Sequence, residues 1–479
     1  MKILQLAAEA SPLAKVGGLA DVIGELPLAL HRLGVDVRVM LPLHPGIDRT
    51  RFPLEELGSF DVARGEQRLK ADLFCIVIEK VPYYLLDGDP VRAGDGVYNS
   101  AEIDAEKYVF TSAAALQAAV FLNWQPDLLH AHDWHASPGL MMMHALRERN
   151  PFWEGTRSLL SLHNLPYLGP DCREVFSAYG IPTQQGWPIP DWASGLSLPQ
   201  AMAVADWLST VSPTYAREIL SAEYASGLDD LIHSRADEIT GILNALDFHH
   251  WDPATDALVP VPFDAEDISP RAENKRLLQE EMGLPVSDVP LLVMVTRVDY
   301  QKGIDLALGG LERLLDREWQ LILLGIGAPD LEKMAKDFGD THPDRVRIVQ
   351  SFQPTLSNRM YAGADIILMP SRYEPCGLSQ LIGMRYGTVP VARATGGLKD
   401  TIVDDPTGKE STGFLFTRAD ADSCAGGIRR ALALYSDREA WRALQKRAMQ
   451  HTFSWSNAAY NYLELYERLL ARGGDADAS

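Results

Sequence analysis

Leu291-Leu-Val-Met-Val295-Thr-Arg297-Val-Asp-Tyr-Gln-Lys302-Gly303-Ile304-Asp-Leu-Ala-Leu-Gly-Gly-Leu-Glu-Arg-Leu-Leu315 reads as a strand, a turn and a helix in that order. Five apolar residues without polar alternation suit a strand buried on both faces of a parallel sheet. Ile304, Ala307, Leu308, Leu311 and Leu315 then fall on one helical stripe. The same unit recurs downstream at Leu321–Leu324, Val346–Val349, Ile366–Met369 and Val389–Ala392. The decisive point is that it also occurs earlier. Ile3–Ala8, Val35–Leu41, Phe74–Ile78, Leu128–His130, Ser158–Leu162 and Trp207–Val211 are strand-like, with amphipathic segments such as Ala20–Leu33 between them. Pro27 inside that helix predicts a kink or a late start. The expected fold class is therefore α/β, with two doubly wound Rossmann-like domains facing a deep cleft. The predicted boundaries are 1–246 and 247–455, with 456–479 as a final helix and polar tail. Asp247–Pro262 is the linker candidate, and the tail proper is Gly473–Ser479.

A chain of 479 residues is too long for one hydrophobic core, and 46% apolar with 23% charged residues suits a globular protein. Its 44 Lys and Arg stand against 65 Asp and Glu, a net charge of −21. That excess argues against nucleic acid as a partner, since phosphate-backbone binding needs clustered cations. Four cysteines without a CxxC pair make neither a disulfide framework nor a zinc site. No apolar run is long enough to span a membrane. Glu9 ends the Ile3–Ala8 run too early for a signal peptide. A cytoplasmic location is expected.

Ligands of doubly wound sheets bind beyond the carboxyl ends of the strands, so the segments after each run are where chemistry is sought. After the first run come Lys15, Gly17 and Gly18, opening a helix. Backbone amides there suit a phosphate, and a glycine turn with a solvated lysine is the plainer alternative. His130, His132, Asp133, Trp134 and His135 approach a metallohydrolase HxHxDH pattern, but the aspartate stands one position early and no second half-site exists. Imidazoles that bond the turn and line a cleft are the favoured reading, with no metal. His163 follows another strand at the same inferred mouth. Arg297 and Lys302, five residues apart, could clamp a diphosphate or simply be solvated. Glu374 follows a strand, and the reading places Pro375 in a helix's first turn with Cys376-Gly377 opening that helix. Thr395-Gly396-Gly397-Leu398 offers a second glycine turn before a helix.

Lys15-Val-Gly-Gly-Leu-Ala-Asp-Val22, His130-Ala-His-Asp-Trp-His135, His163-Asn-Leu-Pro-Tyr167, Arg297 with Gln301-Lys-Gly303, and Glu374-Pro-Cys-Gly-Leu378 with Thr395-Gly-Gly-Leu398 together resemble the bacterial glycogen synthase and plant starch synthase family. The resemblance spans the chain, in order. It implies a GT-B fold whose last helix, near Asn457–Leu470, crosses back to the first domain. It also implies transfer of glucose from ADP-glucose to the non-reducing 4-hydroxyl of an α-1,4-glucan (glycogen or a malto-oligosaccharide), with retention and without metal or other cofactor. By carry-over, Lys15, Gly17 and Gly18 would meet the donor phosphates, and Arg297 and Lys302 the departing diphosphate. Glu374 and the backbone at Cys376, Gly377 and Leu378 would hold the sugar, with Thr395 and Gly396 beside the donor. His163 and Asp133 would stand near the reacting carbon, and Tyr98 and Trp134 on the acceptor side. The second glutamate of the E-x7-E pattern of many such enzymes is Ile382 here. No residue named distinguishes adenine from uracil, so a UDP-glucose or small-acceptor glucosyltransferase is the alternative. Closure of the two domains on the donor is expected.

Overall fold

The computed structural model describes residues 1–351 and 353–476, with side chains placed as far as residue 472. Of the tail Gly473–Ser479, residues 477–479 lie outside the described residues. The chain forms two compact units. The first holds Met1–Asn244 together with the helix Trp455–Ala476, and the second holds Ala245–Ser454.

Among the described residues, nine strands build the first unit: β1 Lys2–Leu6, β2 Asp36–Pro42, β3 Glu55–Arg64, β4 Gln67–Ile78, β5 Val81–Asp87, β6 Leu128–His132, β7 Arg157–Leu162, β8 Trp207–Thr210 and β9 Ile239–Gly241. Their order is β3-β4-β5-β2-β1-β6-β7-β8-β9. From β5 to β9 every pair is parallel, and β3 and β4 add an antiparallel ribbon at one edge. Phe74–Ile78 therefore does not take the parallel place that its apolar run suggested. Those residues end β4, where burial alternates along the strand, and the almost wholly buried Val81–Asp87 lies against β2 instead. The order reverses between β1 and β6, so the segments after Leu6 and His132 share the switch point.

The helix Gly18–Arg32 starts at the glycines and runs through Pro27, so the late start is not seen. Proline cannot donate to the carbonyl of Ile23 four residues back. The Tyr83 hydroxyl donates to that oxygen instead, at 3.0 Å. Pro138 in the helix Asp133–Arg147 is handled alike: the orphaned Trp134 carbonyl accepts from Ser197 Oγ at 2.8 Å. Buried carbonyls need a partner, and here side chains supply it.

The second unit is a six-stranded, wholly parallel sheet of β10 Leu291–Val295, β11 Gln320–Leu324, β12 Val346–Val349, β13 Ile366–Met369, β14 Val389–Arg393 and β15 Phe414–Phe416. Its order, β12-β11-β10-β13-β14-β15, is the 3-2-1-4-5-6 arrangement of a dinucleotide-type sheet. Alternation along each strand feeds two cores. Leu292, Met294, Leu321 and Leu323 face one layer, and Leu291, Val293, Ile322 and Leu324 face the other. That is why these strands read as uninterrupted apolar runs. The stretch 247–262 has no long regular element, yet it is fastened within this unit. Val259 is core, and Asp256 Oδ2 accepts from Tyr386 and Asn358 at 2.7 Å each. Among the described residues no helix is long and apolar enough to cross a membrane.

Candidate active site

In the second unit the segments after β10 and β13 meet at the sheet's switch point. Asp299 accepts the Lys302 amide at 3.0 Å, capping a short turn, and Gly303 follows with φ of 67°. A Cβ at Gly303 would collide with the Pro370 carbonyl, so the turn lies against the β13 segment. Arg372 N donates to Gln301 O at 2.7 Å, and Gln301 Nε2 donates to Tyr373 O at 3.2 Å. The result puts Lys302 Nζ 2.7 and 2.9 Å from the two Glu374 oxygens. Ser371 Oγ donates to the same carboxylate at 2.9 Å. Arg297 is half exposed and bridged to Asp299 at 2.9 Å and Gln301 at 3.1 Å. A cavity of about 60 Å³ opens here, lined in part by Thr296, Lys302, Glu374 and Gly377.

Helix placement differs from the sequence expectation. The helix is Ser379–Arg385, so Pro375, Cys376 and Gly377 precede it in an irregular loop. Gly377 takes φ of 76°, and Gln380 Nε2 donates back to the Cys376 and Gly377 carbonyls at 3.0 and 2.9 Å. A left-handed residue and a side chain that feeds the loop carbonyls stop the helix from starting earlier. The loop presses on the glycine turn at 395–398. Gly397 N donates to Glu374 O at 3.0 Å, and Gly396 begins the next helix with Thr395 as its cap residue. Cys376 is buried at the contact. Ile382 packs in the core.

In the first unit the site residues gather after β1, β6 and β7. Glu9, which the sequence reading left without a role, is their hub and is only 1% exposed. Its Oε2 accepts from the Val16 and Gly17 amides at 2.6 and 3.0 Å, and its Oε1 from the Tyr98 hydroxyl at 3.0 Å. The Gly17 amide, expected to meet a phosphate, is thus engaged by the chain's own carboxylate in this structure. Lys15 Nζ lies 2.5 Å from Asp21. The one legible signal for Glu9 was a carboxylate directly behind a buried strand.

Asp133 has φ of 56°, a left-handed conformation that aspartate tolerates better than most residues. It directs Oδ1 at the His163 amide, 2.7 Å away. His163 Nε2 lies 3.0 Å from His132 Nδ1. His130 is spent on both nitrogens, Nδ1 with Tyr466 at 2.8 Å and Nε2 with Ser161 at 2.6 Å. Among the described residues no group of three or more His, Cys, Asp or Glu could hold a metal ion. Trp134 is 9% exposed and lies against His135, with ring centroids 3.9 Å apart.

Burial sets the charge states. It depresses His163 to about 4, and His130, His132 and His135 fall well below the usual imidazole range for the same reason. All four are neutral near pH 7. Burial pushes the Asp133 carboxyl the other way, to about 7, against the opposing pull of the His163 and Asn164 amides. A folded-state value above the unfolded 3.8 means that the folded chain binds the proton more tightly. The stability so gained is full below the unfolded value and is lost as pH rises through about 7. Asp133→Asn, which never ionises, is therefore expected to gain stability relative to the parent chain between pH 5 and pH 8. Denaturant midpoints at the two pH values measure this, and an unchanged difference would refute the shifted carboxyl.

Two nucleotide-fold units, a cation–carboxylate cluster at one switch point and a buried His–Asp cluster at the other can be compared with known proteins. Residues 2–234 match the family model described as starch synthase catalytic domain, and residues 279–448 match glycosyl transferases group 1. The glycogen synthase of Syntrophotalea carbinolica is 38% identical across 98% of this chain and 99% of its own. That of an Anaeromyxobacter dehalogenans strain is 40% identical across 99% of this chain and 100% of its own. The chain belongs to the glycogen synthase and starch synthase family. Among solved structures, the catalytic domain of starch synthase IV from Arabidopsis thaliana, bound to ADP and acarbose, aligns with a TM-score of 0.89 at 30% identity, covering 98% of this chain and 99% of that one. A sucrose-phosphate synthase from Thermosynechococcus elongatus, 18% identical with a TM-score of 0.63 over 98% of this chain and 99% of its own, shares the fold. As a glycosyltransferase of this family, the chain carries its ionic cluster where such a sheet binds ligands.

Proposed function

We propose that this chain extends an α-1,4-glucan by moving glucose from ADP-glucose to the non-reducing 4-hydroxyl, with retention at the anomeric carbon. The observation that carries the reading is the Arg297, Lys302 and Glu374 cluster at the β10/β13 switch point, in a chain similar along its whole length to glycogen synthases. The sugar–diphosphate bond breaks as negative charge grows on the departing ADP. Arg297 and Lys302 supply the cationic donors for that charge, each held near the switch point by a carboxylate, Asp299 and Glu374. Glu374 accepts from sugar hydroxyls and tethers Lys302 meanwhile. The neutral His163, seated by Asp133, packs against the sugar, while Lys15 and the Gly18 helix start meet the donor phosphates. The reaction takes place in the cytoplasm.

Incubation with labelled ADP-glucose and glycogen, followed by α-1,4-specific digestion, tests this. Label is expected in a product that digestion releases. Incorporation only from UDP-glucose, or only into a small glucoside, would overturn the donor or the acceptor. The proposed chemistry uses no metal, and His130, the candidate ligand, has both ring nitrogens on protein partners. Exhaustive chelation is expected to leave turnover unchanged, and loss that zinc restores would contradict it.

A further inference from the structure

In the first unit two histidines from neighbouring strands share one hydrogen bond. His132 ends β6, and His163 stands just past β7. The strands are parallel, and alternate residues of each lie on one face. Along that face His130 bonds Ser161 and His132 bonds His163, each pair 31 residues apart. His132 Nδ1 lies 3.0 Å from His163 Nε2, with the ring centroids 5.2 Å apart.

Burial keeps both imidazoles neutral, so each ring has one N–H and one bare nitrogen. A hydrogen bond between two such rings couples their tautomers. Either His132 donates from Nδ1, which leaves the His163 proton on Nδ1, or His163 donates from Nε2, which leaves the His132 proton on Nε2. The surroundings of His132 separate the two cases. It is 0% exposed, and its Nε2 is buried without a partner. The His130 ring beside it, 4.0 Å away between centroids, has both nitrogens engaged and offers no acceptor. A buried N–H without an acceptor is rarer than a buried acceptor without a donor. Only the first arrangement avoids one. His163 differs: it is partly exposed, and its Nδ1 has no hydrogen-bond partner among the described residues. Asp133 holds its amide at 2.7 Å and His132 its Nε2, so Nδ1 is the ring nitrogen left for a ligand.

We propose that His132 is a positioning residue whose Nδ1–H holds His163 Nε2 and so presents His163 to the substrate as a neutral Nδ1–H donor. Resting on the glucosyl-transfer reading above, this makes His163 a donor to an oxygen of the bound sugar. No lone pair of that ring is then left to take the proton of the attacking hydroxyl.

Nitrogen-15 NMR of the full chain, labelled at histidine and free of substrate, tests it. The ring-nitrogen shifts report the tautomers whatever reaction the chain performs, and the His163 signals are those lost in His163→Gln. A protonated Nδ1 and a bare Nε2 are expected for both His163 and His132. His132→Leu should release the His163 tautomer and lower turnover about ten- to a hundredfold. His132→Asn, whose amide can donate from the place of Nδ1, should restore the tautomer and most of the turnover, which a space-filling role would not require. A His163 proton on Nε2 in the parent chain, a tautomer or turnover unmoved in His132→Leu, or an equal loss in both variants would overturn the proposal. Absence of glucosyl transfer by the parent chain would instead sink the reading above, and the shifts would still decide the tautomer.

Discussion

Arg297→Ala is expected to lower turnover about 10²–10³-fold, with a much smaller change in the donor's KM. The asymmetry follows from where charge resides. Bound ADP-glucose already carries its diphosphate charge, but the extra charge on the departing oxygen exists only as the bond breaks. A donor aimed there stabilises the transition state more than the ground state. Arg297 is the cleaner probe because its side chain is half exposed, so its removal leaves no buried charge. Lys302→Ala should lose a similar factor in turnover and fold less stably as well. Its partner Glu374 has a side chain only 6% exposed, and removing one member of a buried pair costs about 3–5 kcal/mol. Lys302→Met with Glu374→Gln should recover stability without recovering turnover. A large rise in KM at near-normal turnover in Arg297→Ala would contradict the leaving-group role.

Gly396→Ala should be nearly as damaging, although no side chain is lost. Gly396 has φ of 43°, and a Cβ there would strike the Glu374 carbonyl, a backbone atom that cannot swing aside. Left-handed strain and overpacking together come to about 2–4 kcal/mol. The displaced segment is the one that carries Glu374. A shift of about 1 Å in a reacting group costs roughly 10²-fold in rate. Urea midpoints together with turnover check both parts. A variant as stable and as active as the parent would show that this contact is not tight in solution.

Parts of this arrangement were legible because their signals are local. A strand buried on both faces reads as an apolar run, so β10, β11, β13 and β14 were plain, as were the cation pair and glycine turns beside them. The edge ribbon was not. β3 carries Glu55, Glu56, Asp61 and Arg64 on largely exposed positions, and only its pairing with β4 makes it a strand. Pro375 suggests a helix start that the chain delays to Ser379, because Gly377 and Gln380 hold the loop open. Pro27 does not delay the helix, and Tyr83, distant in sequence, takes over the freed carbonyl. Glu9 was missed for the same reason: Tyr98 reaches it from 89 residues away, and no spacing rule connects them. His130 stands in a pattern close to a metal site, and no spacing rule points to Tyr466, 336 residues on, as the partner of its Nδ1. Motifs show which chemistry is on hand, and long-range contacts decide which groups are already engaged.

Glucosyl transfer from ADP-glucose with retention rests on charge stabilisation at the β10/β13 switch point. The most direct measurement is the proton NMR spectrum of the anomeric centre formed first when the chain, ADP-glucose and a short malto-oligosaccharide are mixed. A new α-1,4 linkage growing in step with ADP release is expected. A β-linked product, or free glucose released from the donor with no new linkage, would contradict it.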